Sequence, residues 1–115
     1  MFNTENVLSK HPNNYFRNWK KIFLNYCDGS GHQGSVKDPV NIDGQQIYFR
    51  GHDIKVETFE DLERKYGMFS KAARVVVSGG SSGALAVFTW ANYIYDRVQN
   101  GRVFAIPDAG IFYDA

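Results

Sequence analysis

A run of β-branched residues, "VVVSGGSSGALA" at positions 75–86, breaks into glycines and serines and then becomes small and apolar again. Within it, Gly79, Ser81 and Gly83 have the Gly-x-Ser-x-Gly spacing of a nucleophile elbow. In such an elbow a serine occupies a strained strand-to-helix turn, and small flanking residues let the backbone pass close to its neighbours. The spacing therefore predicts Ser81 as an exposed nucleophile.

Two other interpretations fit the same stretch. It is similar to the dinucleotide-binding turn of the short-chain dehydrogenases, which bind NAD(P), but Leu85 stands where the last glycine of that turn lets helix and cofactor approach. The chain also has no tyrosine followed four residues later by lysine, the catalytic pair of those enzymes. Alternatively, the glycines only permit tight packing of a helix on a strand. The elbow is favoured because the motif follows an apolar strand and opens an apolar helix.

The elements around the motif form a strand, helix and strand in sequence. Residues 73–79 ("ARVVVSG") and 102–106 ("RVFAI") predict strands buried on both faces, and residues 82–98 predict an apolar helix that ends before Asn100-Gly101. Short connections between such elements indicate a crossover in a parallel sheet. The sequence thus predicts an α/β fold with Ser81 at the C-terminal edge of a mainly parallel sheet.

The N-terminal half has weaker patterns. "KKIFLNYC" at 20–27 predicts a buried strand, and the glycine-rich residues 28–44 have no period and predict an irregular surface loop. A short strand is expected at 45–51. Apolar residues at helical spacing then predict a helix from Asp53, as the N-cap, to a stop at Gly67.

The length and composition indicate a single packed domain or part of one. The chain has 115 residues, 43% of them hydrophobic, and its 13 basic and 12 acidic residues give a formal charge of +1. A balance this close to neutral predicts no nucleic-acid partner, and the longest apolar run, "ALAVFTWA", is too short to span a membrane. The N-terminus has no apolar segment of the signal-peptide kind.

Metal and disulfide chemistry have little support in the sequence. His11, His32 and His52 lie in polar contexts about twenty residues apart, so we expect them at the surface or in loops rather than on a metal. Cys27 is the only cysteine and has no partner for an internal disulfide, so either the protein resides in a reducing compartment or the partner of Cys27 lies outside the given residues. The sequence predicts neither a metal site nor a cofactor.

Four stretches together carry a family resemblance. "NWKKIFLNYCDGSGHQG", "IYFRGHDI", "GGSSGALAVF" and "IPDAGIFYDA" resemble, in this order and at similar separations, the pectin acetylesterase family, which includes the Notum-type carboxylesterases. The resemblance runs from about Leu8 to Ala115. Its most specific parts are "NW…YCDG", "FRG" and "PDAG.F", because the fold demands none of them. At the elbow the family usually has GCSAGG, where this chain has GGSSGA.

The resemblance implies an α/β-hydrolase fold, three-layered with a mainly parallel sheet, that removes ester-linked acyl groups with a serine, aspartate and histidine triad. It assigns the nucleophile to Ser81 and an oxyanion-hole N–H to Ser82. The implied substrate is an acylated carbohydrate or another ester, and no cofactor is needed. Asp28 and Gly29 begin a loop that we expect to line the same pocket. Full-length members of the family are expected to be secreted.

The resemblance also implies that residues 1–115 are part of a domain. Family members have an upstream segment that helps form the oxyanion hole and a downstream region with the triad acid and histidine. All three histidines of this chain precede Ser81, although the order in this fold is serine, acid, histidine, so we expect the chain alone to be inactive. The alternative is a catalytically dead esterase remnant that binds a partner chain through its exposed sheet edge.

Overall fold

The computed structural model describes residues 7–111. Over that range the chain forms, in order, β1 (Val40–Ile42), β2 (Gln45–Ile47), α1 (Gly51–Tyr66), β3 (Arg74–Gly80), α2 (Ser82–Tyr95) and β4 (Arg102–Asp108). Positions 1–6 and 112–115 lie outside the described residues, and with them lie both ends of the expected domain 1–115 and the end of the "IPDAGIFYDA" stretch.

Strands β3 and β4 pair in parallel, with Val75 opposite Val103 and Gly80 opposite Asp108. Helix α2 connects the two strands and packs against both of them. Parallel neighbours cannot be joined by a tight turn, and an apolar helix is the usual connection because it also covers one face of the sheet. The predicted α/β architecture with a parallel sheet is confirmed. The helix ends at Tyr95, earlier than the predicted end at residue 98.

Helix α1 begins at Gly51, so the prediction of Asp53 as its N-cap is wrong. The N-cap residue is Arg50, whose side chain makes no capping hydrogen bond. Instead the Gly51 N–H donates to Oδ2 of Asp28 at 2.5 Å, so the first turn is capped by a carboxylate from a distant part of the chain. The predicted stop is confirmed, because Gly67 adopts a left-handed φ of 65° and its N–H donates to the Glu63 carbonyl.

Residues 40–47 form a β-hairpin, whereas the sequence predicted the end of a loop followed by a strand. Strands β1 and β2 pair antiparallel, and the turn between them is Asp43-Gly44, with φ angles of 51° and 80°. Two successive residues with positive φ are the mark of the turn that best fits the twist of a hairpin, and Asp-Gly is a preferred sequence for it. The predicted loop at 28–44 is therefore wrong over its last residues, and the predicted strand at 45–51 is correct only as far as Ile47.

The predicted strand at 20–27 is not formed. In the described part of the chain β3 and β4 pair only with each other, so no strand pairs with this segment. Leu24 packs partly against the core, whereas Phe23 is 62% exposed. A strand needs backbone hydrogen bonds from a neighbour, and an apolar segment without one keeps an irregular path.

Both helices contribute to one hydrophobic core on one face of the sheet. Its buried side chains are Phe59, Leu62, Phe69, Trp90 and Ile94. Val75, Val77 and Val103 point from the sheet into this core, while Phe104 and Ile106 on the opposite face are 47% and 39% exposed. The prediction that both strands are buried on two faces is therefore wrong, and residues 7–111 form no third layer. Neither helix in this range is long and apolar enough to cross a membrane.

Candidate functional site

Ser81 occupies the junction between β3 and α2 with an unusual backbone conformation. Its φ is 54° and its ψ is −116°, a combination that few residues other than glycine adopt. A residue held there costs of the order of 1–3 kcal/mol and persists only when its surroundings enforce it. The residue is exposed, and although it stands at the N-cap position its side chain makes no capping hydrogen bond. The Oγ atom is therefore presented to solvent at the end of a strand.

Backbone hydrogen bonds on both sides hold this turn. The Ser81 N–H donates to the Asp108 carbonyl at 3.1 Å, which fastens the turn to the end of β4. The Ser81 carbonyl accepts the N–H groups of Ala84 at 2.9 Å and Leu85 at 3.3 Å, which fastens it to the first turn of α2. The strained residue is thus fixed between the sheet and the helix.

Gly79 is required by the same geometry. A Cβ atom at this position would lie 2.4 Å from the carbonyl oxygen of Gly83, a contact with backbone that no side-chain rotation can relieve. At Gly80 the nearest atom to such a Cβ is 3.9 Å away, and at Gly83 nothing lies within 4 Å. The end of the strand and the start of the helix therefore approach closely at one point. Both the nucleophile-elbow interpretation and the helix-packing interpretation require this close approach.

Ser82 is the first residue of α2. The first N–H groups of a helix have no carbonyl four residues earlier to accept them, and they carry the positive end of the helix dipole. The N–H of Ser82 thus belongs to a set of donors at the helix start, immediately beside the Ser81 side chain. Such a position suits the stabilisation of a developing negative charge on an oxygen atom.

The loop that begins at Asp28 is organised around the carboxylate of that residue. Its Oδ2 accepts the Ser30 Oγ–H at 2.5 Å and the Gly51 N–H at 2.5 Å, and its Oδ1 accepts the Ser30 N–H at 3.2 Å. Partial burial raises the pKa of Asp28, but the hydrogen bonds from Ser30 and Gly51 outweigh it and the pKa is lowered. The contacts of Asp28 are therefore those of a carboxylate that joins the loop to α1. Gly29 has a φ of 70° and open space around it.

The same loop packs against the helix that follows Ser81. A Cβ on Gly31, whose φ is 64°, would lie 2.9 Å from Cδ2 of Leu85 in the first half of α2. Further along, the carbonyl of His32 accepts the indole Nε1–H of Trp90 at 3.1 Å, and both residues are buried. The expected position of Asp28 and Gly29 in a pocket with Ser81 stays a prediction, but their loop does contact the nucleophile helix.

Two buried basic residues were not found from the sequence. His32 is 5% exposed and stacks on Tyr26 with ring centroids 4.4 Å apart, while Lys55 is 4% exposed and donates from Nζ to the Asn25 carbonyl at 3.2 Å. Burial lowers the pKa of His32, and the neighbouring Lys55 charge lowers it further. Burial likewise lowers the pKa of Lys55. His32 lies in a loop, as expected. The polar residues around it in the sequence are typical of solvent-exposed segments and do not indicate that its side chain is buried.

The other histidines lie at the surface. His11 is exposed, and His52 is half-exposed, with Nδ1 3.3 Å from Oδ1 of Asp53 and its ring 5.0 Å from that of Trp90. Within residues 7–111 no hydrogen bond joins a histidine to Ser81. Over the same range no three His, Cys, Asp or Glu side chains are grouped to hold a metal ion.

Comparisons with known proteins agree with the resemblance carried by the motifs. The family model described as pectinacetylesterase matches residues 2–115. The chain is 34% identical over 100 residues to pectin acetylesterase 11 of Arabidopsis thaliana, covering 84% of this chain and 24% of that protein. It is 32% identical over 111 residues to pectin acetylesterase 5 of the same plant, covering 94% of this chain and 25% of that protein. The chain thus spans about a quarter of the length of these relatives. No solved structure matches it.

Proposed function

The chain belongs to the pectin acetylesterase family, and from this premise we propose that it supplies the nucleophile of a carboxylic ester hydrolase. The proposed substrate is an acetylated carbohydrate, since the relatives are named for the removal of acetyl groups from pectin. The proposed fold of the complete domain is that of an α/β-hydrolase, of which β3, α2 and β4 form a part. Its site of action is outside the cell, where pectin is found, and its reaction requires no cofactor.

The observation that carries the proposal is the conformation of Ser81. A solvent-exposed serine at φ 54°, ψ −116°, fastened to β4 on one side and α2 on the other, is what an activated nucleophile needs. A serine that only capped the helix would direct its Oγ to the N–H groups of the first turn, and this one does not. A dinucleotide-binding turn does not require an exposed serine with a strained backbone.

In the proposed reaction Ser81 Oγ attacks the carbonyl carbon of the ester and forms a new C–O bond, while its proton passes to a base. The carbonyl oxygen becomes an oxyanion, which the N–H of Ser82 at the start of α2 stabilises. The C–O bond to the sugar then breaks and the sugar oxygen takes the proton from the base. Water hydrolyses the acetyl-serine in the same way, which releases acetate and restores Ser81.

The proposed base is a histidine that follows Ser81 in the family's chain order, as the fold requires. His32 cannot serve because it is buried against Tyr26 and Trp90. His52 is held between Asp53 and Trp90. We therefore propose that the 115-residue chain alone is inactive and that the nucleophile acts within a longer protein.

The test is labelling with a fluorophosphonate probe and release of acetate from acetylated pectin. Both are measured for the 115-residue chain and for the longest open reading frame that contains it, each with Ser81→Ala. We expect labelling and acetate release only in the longer protein, with both lost on Ser81→Ala. Ser82→Ala is the matched control, because it removes the neighbouring hydroxyl but keeps the backbone N–H, and it should retain labelling. Equal labelling of the longer protein and its Ser81→Ala variant would sink the nucleophile assignment.

A second candidate is a non-catalytic interaction protein, which one observation favours. Phe104 and Ile106 are large apolar side chains exposed on the open face of the sheet, and such a face is a common site of association. If neither the longer protein nor its Ser81→Ala variant releases acetate, while Phe104→Lys changes the molar mass measured by light scattering, this candidate replaces the esterase.

A further inference from the structure

Charge is distributed unevenly along a chain whose net charge is close to zero. Residues 7–27 contain four basic residues, Lys10, Arg17, Lys20 and Lys21, and none of the chain's 12 acidic residues. Arg74, at the start of β3, joins this segment because its Nη1 donates to the Tyr15 hydroxyl at 3.1 Å. The segment therefore carries a local positive charge that the value of +1 for the whole chain conceals.

Backbone carbonyls and an aromatic ring hold the side chains of these basic residues, and no carboxylate neutralises their charge in the described part of the chain. Lys21 donates from Nζ to the carbonyls of Leu8 at 3.0 Å and Ser9 at 2.5 Å, and Arg17 donates to the Pro12 carbonyl. Lys20 lies 4.2 Å above the ring of Tyr66. Among residues 7–111 the ion pairs involve only α1 side chains, so no described carboxylate pairs with the basic residues of this segment. Their charge remains available to an anion.

Aromatic rings lie beside the cations. Tyr15, Phe16 and Trp19 contact one another, with ring centroids 5.3 Å apart for Tyr15 and Phe16 and 5.1 Å for Phe16 and Trp19. Tyr15 is 71% exposed, although most aromatic side chains gain by burial. An exposed ring supported by two others offers a flat apolar surface, which is what the C–H face of a sugar ring packs against.

An open surface depression of about 420 Å³ lies next to these rings. Its lining includes Ser9, His11, Asn13 and Tyr15. Nδ1 of His11 accepts the Asn13 N–H at 3.3 Å, which assigns the proton of the neutral ring to Nε2, where it can be donated to a ligand. Amide, imidazole and hydroxyl groups of this kind are suitable partners for sugar hydroxyls.

We propose that residues 7–21 together with Arg74 form a binding site for a polyuronate, an acidic polysaccharide whose carboxylates pair with the cations and whose sugar rings stack on Tyr15. The choice of a carbohydrate over another polyanion rests on the proposed function, because pectin is built largely from uronic acid units. The exposed aromatic rings favour a sugar polymer over a simple anion. A carboxylate needs only a cation as its partner, whereas a sugar ring also packs against an aromatic face.

The site lies at the opposite end of the sheet from the nucleophile. Arg74 is the first residue of β3 and Ser81 follows its last, so seven residue steps at about 3.3 Å each separate them by about 23 Å. A single sugar cannot reach both points, but a polymer can. The site would therefore hold the polysaccharide chain away from the reacting acetyl group, and its occupation would not require Ser81.

Isothermal titration calorimetry of the 115-residue chain with a size-defined, unesterified oligogalacturonide tests the site. Arg17→Gln/Lys21→Gln should weaken binding about tenfold, because each lost charge contact contributes of the order of 0.7 kcal/mol. Those two side chains also hold the segment together, so Lys10→Glu, at an exposed residue, is the second variant and should weaken binding at least threefold. Lys37→Glu makes the same charge change outside the segment and should alter binding less than twofold. Equal weakening by Lys10→Glu and Lys37→Glu would overturn the proposal.

The aromatic contribution has its own pair of variants. Tyr15→Ala should weaken oligogalacturonide binding at least fivefold, because stacking contacts are each worth of the order of 1 kcal/mol. Tyr95→Ala removes a ring that is 66% exposed at the end of α2 and should have no effect. A neutral dextran oligomer should not bind. Single-stranded DNA of equal charge that binds as tightly, with the same loss on Tyr15→Ala, would replace the polyuronate with a general polyanion.

Ser81→Ala separates this proposal from the proposed function. The variant should bind the oligogalacturonide as tightly as the parent chain, because the site is about 23 Å from Ser81. Binding that persists while the longer protein fails to release acetate would contradict the esterase and leave the polyuronate site intact. Acetate release without measurable oligogalacturonide binding would overturn the site and leave the esterase intact.

Discussion

The unit from β3 to β4 and the loop at residues 28–34 meet along α2, yet they are held by different forces. In the unit from β3 to β4, parallel strands and an apolar helix fix the backbone. Ser81 keeps a strained conformation because backbone hydrogen bonds hold it to both the sheet and the helix. In the loop there is no regular structure, and the path of the chain is fixed by side chains, chiefly the Asp28 carboxylate and the Trp90 indole. The elbow is thus sensitive to the volume of its residues, and the loop is sensitive to the hydrogen bonds they make.

The largest expected effect is at Gly79. Gly79→Ala would place a methyl group 2.4 Å from the Gly83 carbonyl oxygen, so strand and helix must separate. We expect the free energy of unfolding, measured in urea, to fall by about 3 kcal/mol or more. Gly80→Ala is the matched control, with its nearest contact at 3.9 Å, and should cost less than about 1 kcal/mol. Similar losses for the two variants would mean that the close approach does not hold the elbow.

Next in size is the loss of the carboxylate that organises the loop. Asp28→Ala leaves the Gly51 N–H and the Ser30 hydroxyl without their acceptor, and we expect unfolding in urea to become easier by about 2 kcal/mol. Asp53→Ala removes a fully exposed carboxylate from the same first turn of α1, where solvent screens its charge, and should destabilise the chain far less. If the two variants lost equal stability, the loop would not depend on Asp28.

A smaller effect is expected from pH. Burial lowers the pKa of His32 in the folded chain from its ordinary value of 6.5, with a further contribution from Lys55. Below pH 6.5 the unfolded chain then binds a proton that the folded chain does not, so stability should fall as the pH is lowered from 7 towards 5. The pKa of Asp28 is also lowered, so the stability it contributes is lost only at more acidic pH, as the pH falls through its folded value.

Thermal unfolding recorded between pH 7 and pH 5 tests this assignment. His32→Asn should flatten the dependence, because asparagine tolerates the φ of 65° at this position and does not titrate. A slope that survives His32→Asn would assign the titration to another group.

The smallest expected effect is at the hairpin turn, which belongs to neither region. Gly44→Ala meets nothing within 4 Å, so only its φ of 80° opposes the new side chain, at a cost of about 1 kcal/mol. Hydrogen exchange of the β1 and β2 amides should become faster by about fivefold, while exchange in β3 and β4 should not change. Faster exchange in all four strands would show that the hairpin supports the core.

Local sequence pattern was enough to find β3, α2 and β4, because each is an apolar run bounded by glycine or polar residues. It failed at 20–27, where apolar residues are present but no neighbouring strand is, since pairing depends on the rest of the fold. The hairpin had a visible signal in Asp43-Gly44 that the glycine-rich surroundings masked.

The start of α1 could not have been found from its own residues, because its cap comes from Asp28, which is 23 residues away. In the candidate site, too, some features are predictable from the local sequence and others depend on distant parts of the chain. The position of Ser81 follows from the spacing of glycines around it, and the structure gives the backbone angles that such spacing permits. The buried state of His32 and Lys55 follows from packing with Tyr26 and with the backbone of residue 25, and neither contact has a sequence pattern of its own.

The hydrogen bond from the Trp90 indole to the His32 carbonyl joins residues 58 positions apart, so the loop depends on a part of the chain that is made much later. During synthesis the loop at 28–34 is made long before α2, so it cannot adopt its final path until Trp90 is in place. The pairing of β3 with β4 and the packing of α2 on both strands involve residues within one stretch of 35 residues, so these contacts can form first. We therefore expect the elbow to form before the loop that packs beside it, and the loop to become fixed only when α2 is in place.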